Sequence, residues 1–120
     1  MKIDEHRAKA RNIERSLLRC TLDDYETVIE GCMLAGTHHF NILLHDRGSP
    51  LEQDVMHAEF LSVAVRRKSR VMMPGVLEAL DEIERFRTSY VRGDLPGGTQ
   101  AAQRALECLD VLRSAARQRI

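Results

Sequence analysis

The stretch TLDDYETVIEGCMLAGTHHFNILLHD, residues 21–46, decides the fold. On a helix at about 100° per residue, Tyr25, Val28, Ile29, Cys32, Met33, Gly36, Phe40 and Leu43 gather within about 140° of arc. That is the stripe of a helix packed on a core. Thr21 followed by Asp24 three residues on is a capping signal, because a hydroxyl there accepts a free first-turn N–H. Gly48 supplies the stop, since glycine takes up the left-handed conformation that ends helices.

Outward from this helix the remaining segments read the same way. Residues 3–18 place Ile3, Ala10, Ile13, Leu17 and Leu18 near one stripe, while Arg7, Arg11, Arg15 and Arg19 recur every four residues on another. Ser49-Pro50-Leu51-Glu52 has Ser as N-cap, Pro at the first helical position and Glu at the third, and predicts a third helix from residue 50 to about 70. Pro74 opens a fourth, through Val76, Leu80, Ile83, Phe86, Tyr90 and Val91 to Gly93. Residues 94–98 (DLPGG) form a loop by composition. Thr99 then caps a fifth helix that carries Ala102, Ala105, Leu106, Leu109, Leu112 and Ala116 on one side. Period-two alternation is absent throughout. The expectation is an all-α antiparallel bundle of four or five helices, with residues 1–120 as a single domain.

Composition agrees. Of the 120 residues, 43% are hydrophobic and 30% charged, which excludes a disordered tail. The longest uncharged stretch, residues 31–44, is short of the ~20 residues of a bilayer span. The first ten residues are charged throughout, so no signal-peptide core is expected and the expected location is cytoplasmic. The three cysteines (Cys20, Cys32, Cys108) have no C-x-x-C spacing, which argues against a disulfide framework or a Cys-rich zinc site. Cys32 lies on the core stripe and reads as a small buried hydrophobe. Net charge is zero, but residues 1–20 carry net +3, residues 21–60 net −7 and residues 61–80 net +3. A neutral chain has no long-range field to steer it onto a nucleic acid. The asymmetry fits segments that face one another in the fold or in an oligomer.

Two helices have apolar residues to spare. The predicted third helix carries Leu51, Val55, Ala58 and Val65 on one side and Met56, Phe60, Val63 and Ala64 on the other. The second helix has a further patch of Leu34, Ala35, His38, Ile42 and His45. A chain this small covers both sides of two helices with difficulty. Either the third helix is central, or a surplus face makes a homodimer, with Leu34, His38, Ile42, His45, Met56 and Phe60 as its candidate interface.

Catalytic motifs are scarce. No serine sits in a Gly-x-Ser-x-Gly elbow, and Gly97-Gly98 is not followed by Lys-Ser/Thr. Four of the five histidines lie between residues 38 and 57, within the acidic stretch, which raises a divalent metal as the one candidate cofactor. Asp54 and His57 have the i,i+3 spacing that two ligands on one helix require. Glu30 and His45 on the neighbouring helix complete the candidate set. The bland alternative makes His39 a satisfied, partly buried residue and His38 and His45 surface or interface residues. Arg66, Arg67, Lys68 and Arg70 form the candidate RNA-binding run, although cations at a helix C-terminus also complement its dipole. Arg87 falls on a packed face and needs a carboxylate partner or an anionic ligand.

Residues 25–93 also resemble the small bacterial HEPN-type helical domains. The stretches that carry the resemblance are Ala35-Gly-Thr-His-His-Phe-Asn-Ile-Leu-Leu-His45, Asp54-Val-Met-His57-Ala-Glu59 and Ile83-Glu-Arg-Phe-Arg-Thr-Ser-Tyr-Val-Arg-Gly93. Many members are ribonucleases with an Arg followed by four to six residues and a His. Here the His after Arg47 is His57, too far on, and no His follows any later Arg. The resemblance therefore implies a dimeric member without nuclease activity, acting through a protein or nucleotide-handling partner. The expectation that follows is a non-catalytic interaction module. A small metal-dependent enzyme or sensor built on the acidic/His pocket is the first alternative, and an RNA-binding protein the second.

Overall fold

The computed structural model describes residues 1–58 and 61–118. It is all-α, with no strand among the described residues. The helices are α1 (Ile3–Leu17), α2 (Tyr25–Asp46), α3 (Val63–Met72), α4 (Val76–Phe86) and α5 (Gly98–Arg117). A 3-10 turn (Leu22–Asp24) leads into α2, and α4 runs on as a π-helical stretch (Arg87–Arg92). None of the helices is long and apolar enough to cross a membrane.

Helix α2 is the central member, packed by α1 on one side and by α4 and α5 on the other. Its entry is capped as its sequence predicts: the Thr21 hydroxyl accepts from the Asp23 N–H, and the Thr21 N–H donates to the Asp24 carboxylate at 2.9 Å. Its exit turns at Gly48, whose φ of 101° is left-handed. The predicted stripe is the core: Ile29, Cys32, Phe40 and Leu43 are buried with Leu80 and Ile83 of α4 and Leu109 and Leu112 of α5. Small residues set the approach of the neighbours. A Cβ on Gly36 would stand 3.0 Å from a Leu112 methyl, and one on Gly31 would meet the Leu17 side chain of α1.

Three local expectations are corrected. The segment after Ser49 is not helical: residues 50–57 run as a turn and an irregular stretch, and the third helix starts only at Val63. Ser62, not Ser49, is its N-cap, its hydroxyl accepting from the Val65 N–H at 3.2 Å. Pro50 merely closes a turn in which its carbonyl accepts from the Gln53 N–H. The two apolar stripes drawn on a helix beginning at residue 50 therefore do not exist as stripes. Thr99 lies inside α5, whose N-cap is Gly97 at φ 102°, and its hydroxyl meets the Gln100 side chain instead. Pro74 precedes α4 by two residues, in the turn that separates it from α3, and Gly75 is the N-cap.

The surplus patch of α2 is covered from within the chain. Ala35, Ile42 and His45 are buried, and α1 lies on this side with Ala10 buried and Ile13 and Leu17 packed against the core. Leu34 remains half exposed.

Candidate metal centre

The stripe of α1 runs through residues 3, 6, 10, 13 and 17, spaced alternately by three and four, and position 6 is a histidine. Packing α1 on α2 therefore buries an imidazole where an aliphatic residue would otherwise stand, and His6 is 1% exposed. Facing it on α2 are His38, Asn41 and His45, at spacings of three and four that share one helix face.

The chain leaving α2 folds back over this face. Asn41 holds it: its amide donates to the Val55 carbonyl at 2.8 Å, and its Oδ1 accepts from the Val55 N–H at 2.8 Å. The same amide also donates to the Thr37 carbonyl, so a fully buried side chain spends its bonds on the backbone beside Asp54. Asp54 is thereby delivered between the two helices. Its Oδ1 lies 2.8 Å from His6 Nε2 and 2.8 Å from His45 Nε2, while Oδ2 accepts from the Met1 amine at 3.1 Å.

Each ring has a second partner. His45 Nδ1 lies 3.0 Å from the Ser49 carbonyl, which obliges that nitrogen to carry a proton. A neutral ring then has only a lone pair left to aim at the Asp54 oxygen. Either a second proton or a cation shared by Nε2 and Oδ1 is required to satisfy the contact. His6 Nδ1 is 2.9 Å from His38 Nδ1, and the two rings are tilted with centroids 5.2 Å apart. Burial and the neighbouring His6 both push the His38 pKa below its ordinary value, which favours His38 as a neutral acceptor. Burial alone would raise the Asp54 pKa, but hydrogen bonds from His45, His6 and the Met1 amine outweigh it and hold the carboxyl down at about 2.

One ligand atom from each of His6, His45 and Asp54 lies within 4.8 Å of the other two. A tetrahedral ion with bonds of about 2.0–2.2 Å places its ligand atoms about 3.4 Å apart. The 2.8 Å contacts would thus need to open by about half an ångström, within the reach of side-chain torsions. The outer contacts match what metal-bound imidazoles use: a backbone carbonyl behind one ring and a neutral acceptor behind the other.

Of the four residues in the sequence-derived metal set, His45 and Asp54 meet here. Glu30 is elsewhere, paired with Arg87, and His57 is not one of the three converging residues. The Asp54–His57 spacing does not act, because i,i+3 brings side chains together only on a helix and this segment is not one. His6 was missed, although its place in the stripe of residues 3, 10, 13 and 17 was visible. His45 is buried rather than a surface residue.

The other candidates fall apart from this centre. Arg87 donates to Glu30 and to Glu84, so its ion pairs satisfy it without a ligand. Burial works to lower its pKa, and the two carboxylates raise it. Arg66 is tied to Asp81 at 2.9 Å and to the Ala58 carbonyl, while Arg67, Lys68 and Arg70 are exposed on α3. His39 pairs with Glu14 at 2.6 Å, but it is buried rather than partly buried, and its Nδ1 has no hydrogen-bond partner among the described residues, so it is not the satisfied residue expected. Within the proposed interface, Ile42 and His45 are buried, His38 is half-buried, and Leu34 and Met56 are exposed. Phe60 lies outside the described residues.

Comparison with protein-family models, with curated proteins and with solved structures finds no match to this chain.

Proposed function

We propose that this protein binds a divalent transition-metal ion at His6, His45 and Asp54 and acts as a small metal-dependent enzyme or sensor. The observation that carries the reading is the convergence of two buried imidazole nitrogens on one carboxylate oxygen, each at 2.8 Å. Two nitrogens and one oxygen suit Zn²⁺, Fe²⁺ or Co²⁺ better than Mg²⁺ or Ca²⁺, which prefer all-oxygen shells. Three protein ligands leave at least one position for water or a substrate, which is the arrangement of catalytic rather than closed structural sites. The Ser49 carbonyl, His38 and Asn41 then serve as positioning groups.

The test is native mass spectrometry of the full chain after loading with Zn²⁺ and desalting, beside His45→Ala and Asp54→Asn. One ion per chain is expected in the wild type, with affinity falling at least about 100-fold in each variant. A wild-type spectrum without bound metal, or variants that keep it, would refute the proposal. The same spectrum reads subunit number. The interaction-module reading retains the exposed Met56 and Leu34, and a dimer mass would support a homodimer.

A further inference from the structure

Asp54 does not face only the two imidazoles. It also lines a cavity of about 540 Å³ between the returning chain and α3, a volume typical of small-molecule sites. Leu44, Val55, Leu61, Val65, Met72 and Met73 give it an apolar body. Two cations, Arg47 from the end of α2 and Lys68 from α3, line it as well. Lys68 makes no ion pair among the described residues, and Arg47 reaches only the Leu43 carbonyl, at 3.5 Å. Among the described residues, the one acidic side chain in the lining is Asp54, already engaged by His6 and His45.

The lining also includes Ser69, which is 2% exposed and whose Oγ has no hydrogen-bond partner among the described residues. A buried hydroxyl normally finds a partner, because stripping water from it without a replacement is costly. Here an unpaired hydroxyl, two unpaired cations and an apolar wall border one space.

We propose that this cavity binds an organic carboxylate with an aliphatic body, its head group held by Lys68, Arg47 and the Ser69 hydroxyl and its chain against Val65, Met72 and Met73. The inference gives the ligand class of the space that Asp54 borders beside the proposed metal centre, and in that respect rests on the proposed function. A carboxylate suits the site because it offers several lone pairs to two cations and a hydroxyl at once. The apolar wall adds the hydrophobic contribution that a small inorganic anion could not gather.

The experiment titrates octanoate into the Zn²⁺-loaded full chain by isothermal calorimetry, with octan-1-ol as the uncharged comparison. Saturable octanoate binding is expected, tighter than octan-1-ol by at least tenfold. Lys68→Glu, at an exposed position, should weaken octanoate at least tenfold and leave octan-1-ol unchanged. Ser69→Ala should weaken octanoate several-fold, with circular dichroism checking that α3 is retained. No saturation in the millimolar range, equal affinity for the alcohol, or an unchanged Lys68→Glu would overturn the inference. Zn²⁺ content is measured on the same samples. Metal retained without octanoate binding sinks only this inference; octanoate binding without metal supports the cavity and refutes the metal centre.

Discussion

Replacing Asn41 by Leu tests how the site is built. The two side chains have the same number and branching of heavy atoms, Leu being the bulkier, so the buried position on α2 stays filled, and the helix loses only the bond to its own Thr37 carbonyl. What disappears is the pair of 2.8 Å hydrogen bonds to Val55. Two backbone groups of a half-buried residue then lack partners. Leaving such groups unpaired costs about 1–3 kcal/mol each when they stay buried. The cost is capped, because the chain at 49–57 can lift and let water replace Asn41. The expected global loss is therefore about 1–3 kcal/mol, with most of the change local. Hydrogen exchange read by mass spectrometry should show residues 49–57 losing protection while α2, α4 and α5 keep theirs. Zn²⁺ affinity should fall about 10- to 100-fold, as for loss of other groups that orient a metal ligand. Unchanged exchange at 49–57, with stability within about 0.5 kcal/mol of wild type, would show that Asn41 does not hold Asp54 in place.

Two further expectations concern groups outside the site. Cys32 and Cys108 are buried, with burial pushing their thiols up to about 12 and about 11, so brief iodoacetamide treatment of the native protein should add one label, at Cys20. Rapid labelling at either buried position, read by peptide mapping, would contradict the packing of α2 against α5. Glu14 is partly buried, which raises its pKa, but His39 and Arg113 outweigh burial and hold it below its ordinary 4.5. A depressed carboxylate stabilises the fold above the unfolded value and loses that contribution as pH falls through the folded one. Urea midpoints for Glu14→Gln should accordingly fall below wild type at pH 6 and converge with it towards pH 3.

The helices that carry the core were legible because their signal is a periodicity that needs only burial to be true. The stripes of α2 and α5 survive intact, and so does the Thr21–Asp24 entry. The segment after Ser49 was not legible. Its capping signature is local, and a tertiary demand overrides it. The Ser49 carbonyl meets His45, and Asn41 takes both backbone groups of Val55, contacts that a helix beginning at Pro50 would not allow. Spacing rules that hold on a helix select His57 in a segment that is not one, and pass over His6. Had the histidine been counted with Ile3, Ala10 and Ile13, one buried imidazole would have been expected opposite α2. Glu30 enters the metal set only as a carboxylate on the neighbouring helix, whereas its real partner, Arg87, is far along the chain.

The contact between His6 and Asp54 joins positions 48 residues apart. An ion at that point would act as a removable cross-link. Because the unfolded chain does not keep the ion, the link stabilises the fold through its binding free energy, by about 4 kcal/mol when the free ion stands at about 1,000 times its Kd. Unlike a disulfide, this link can be undone by a chelator under reducing conditions. The first helix would then be a latch whose grip tracks the free concentration of metal, its docking on α2 tightening when the ion is plentiful and loosening when it is scarce.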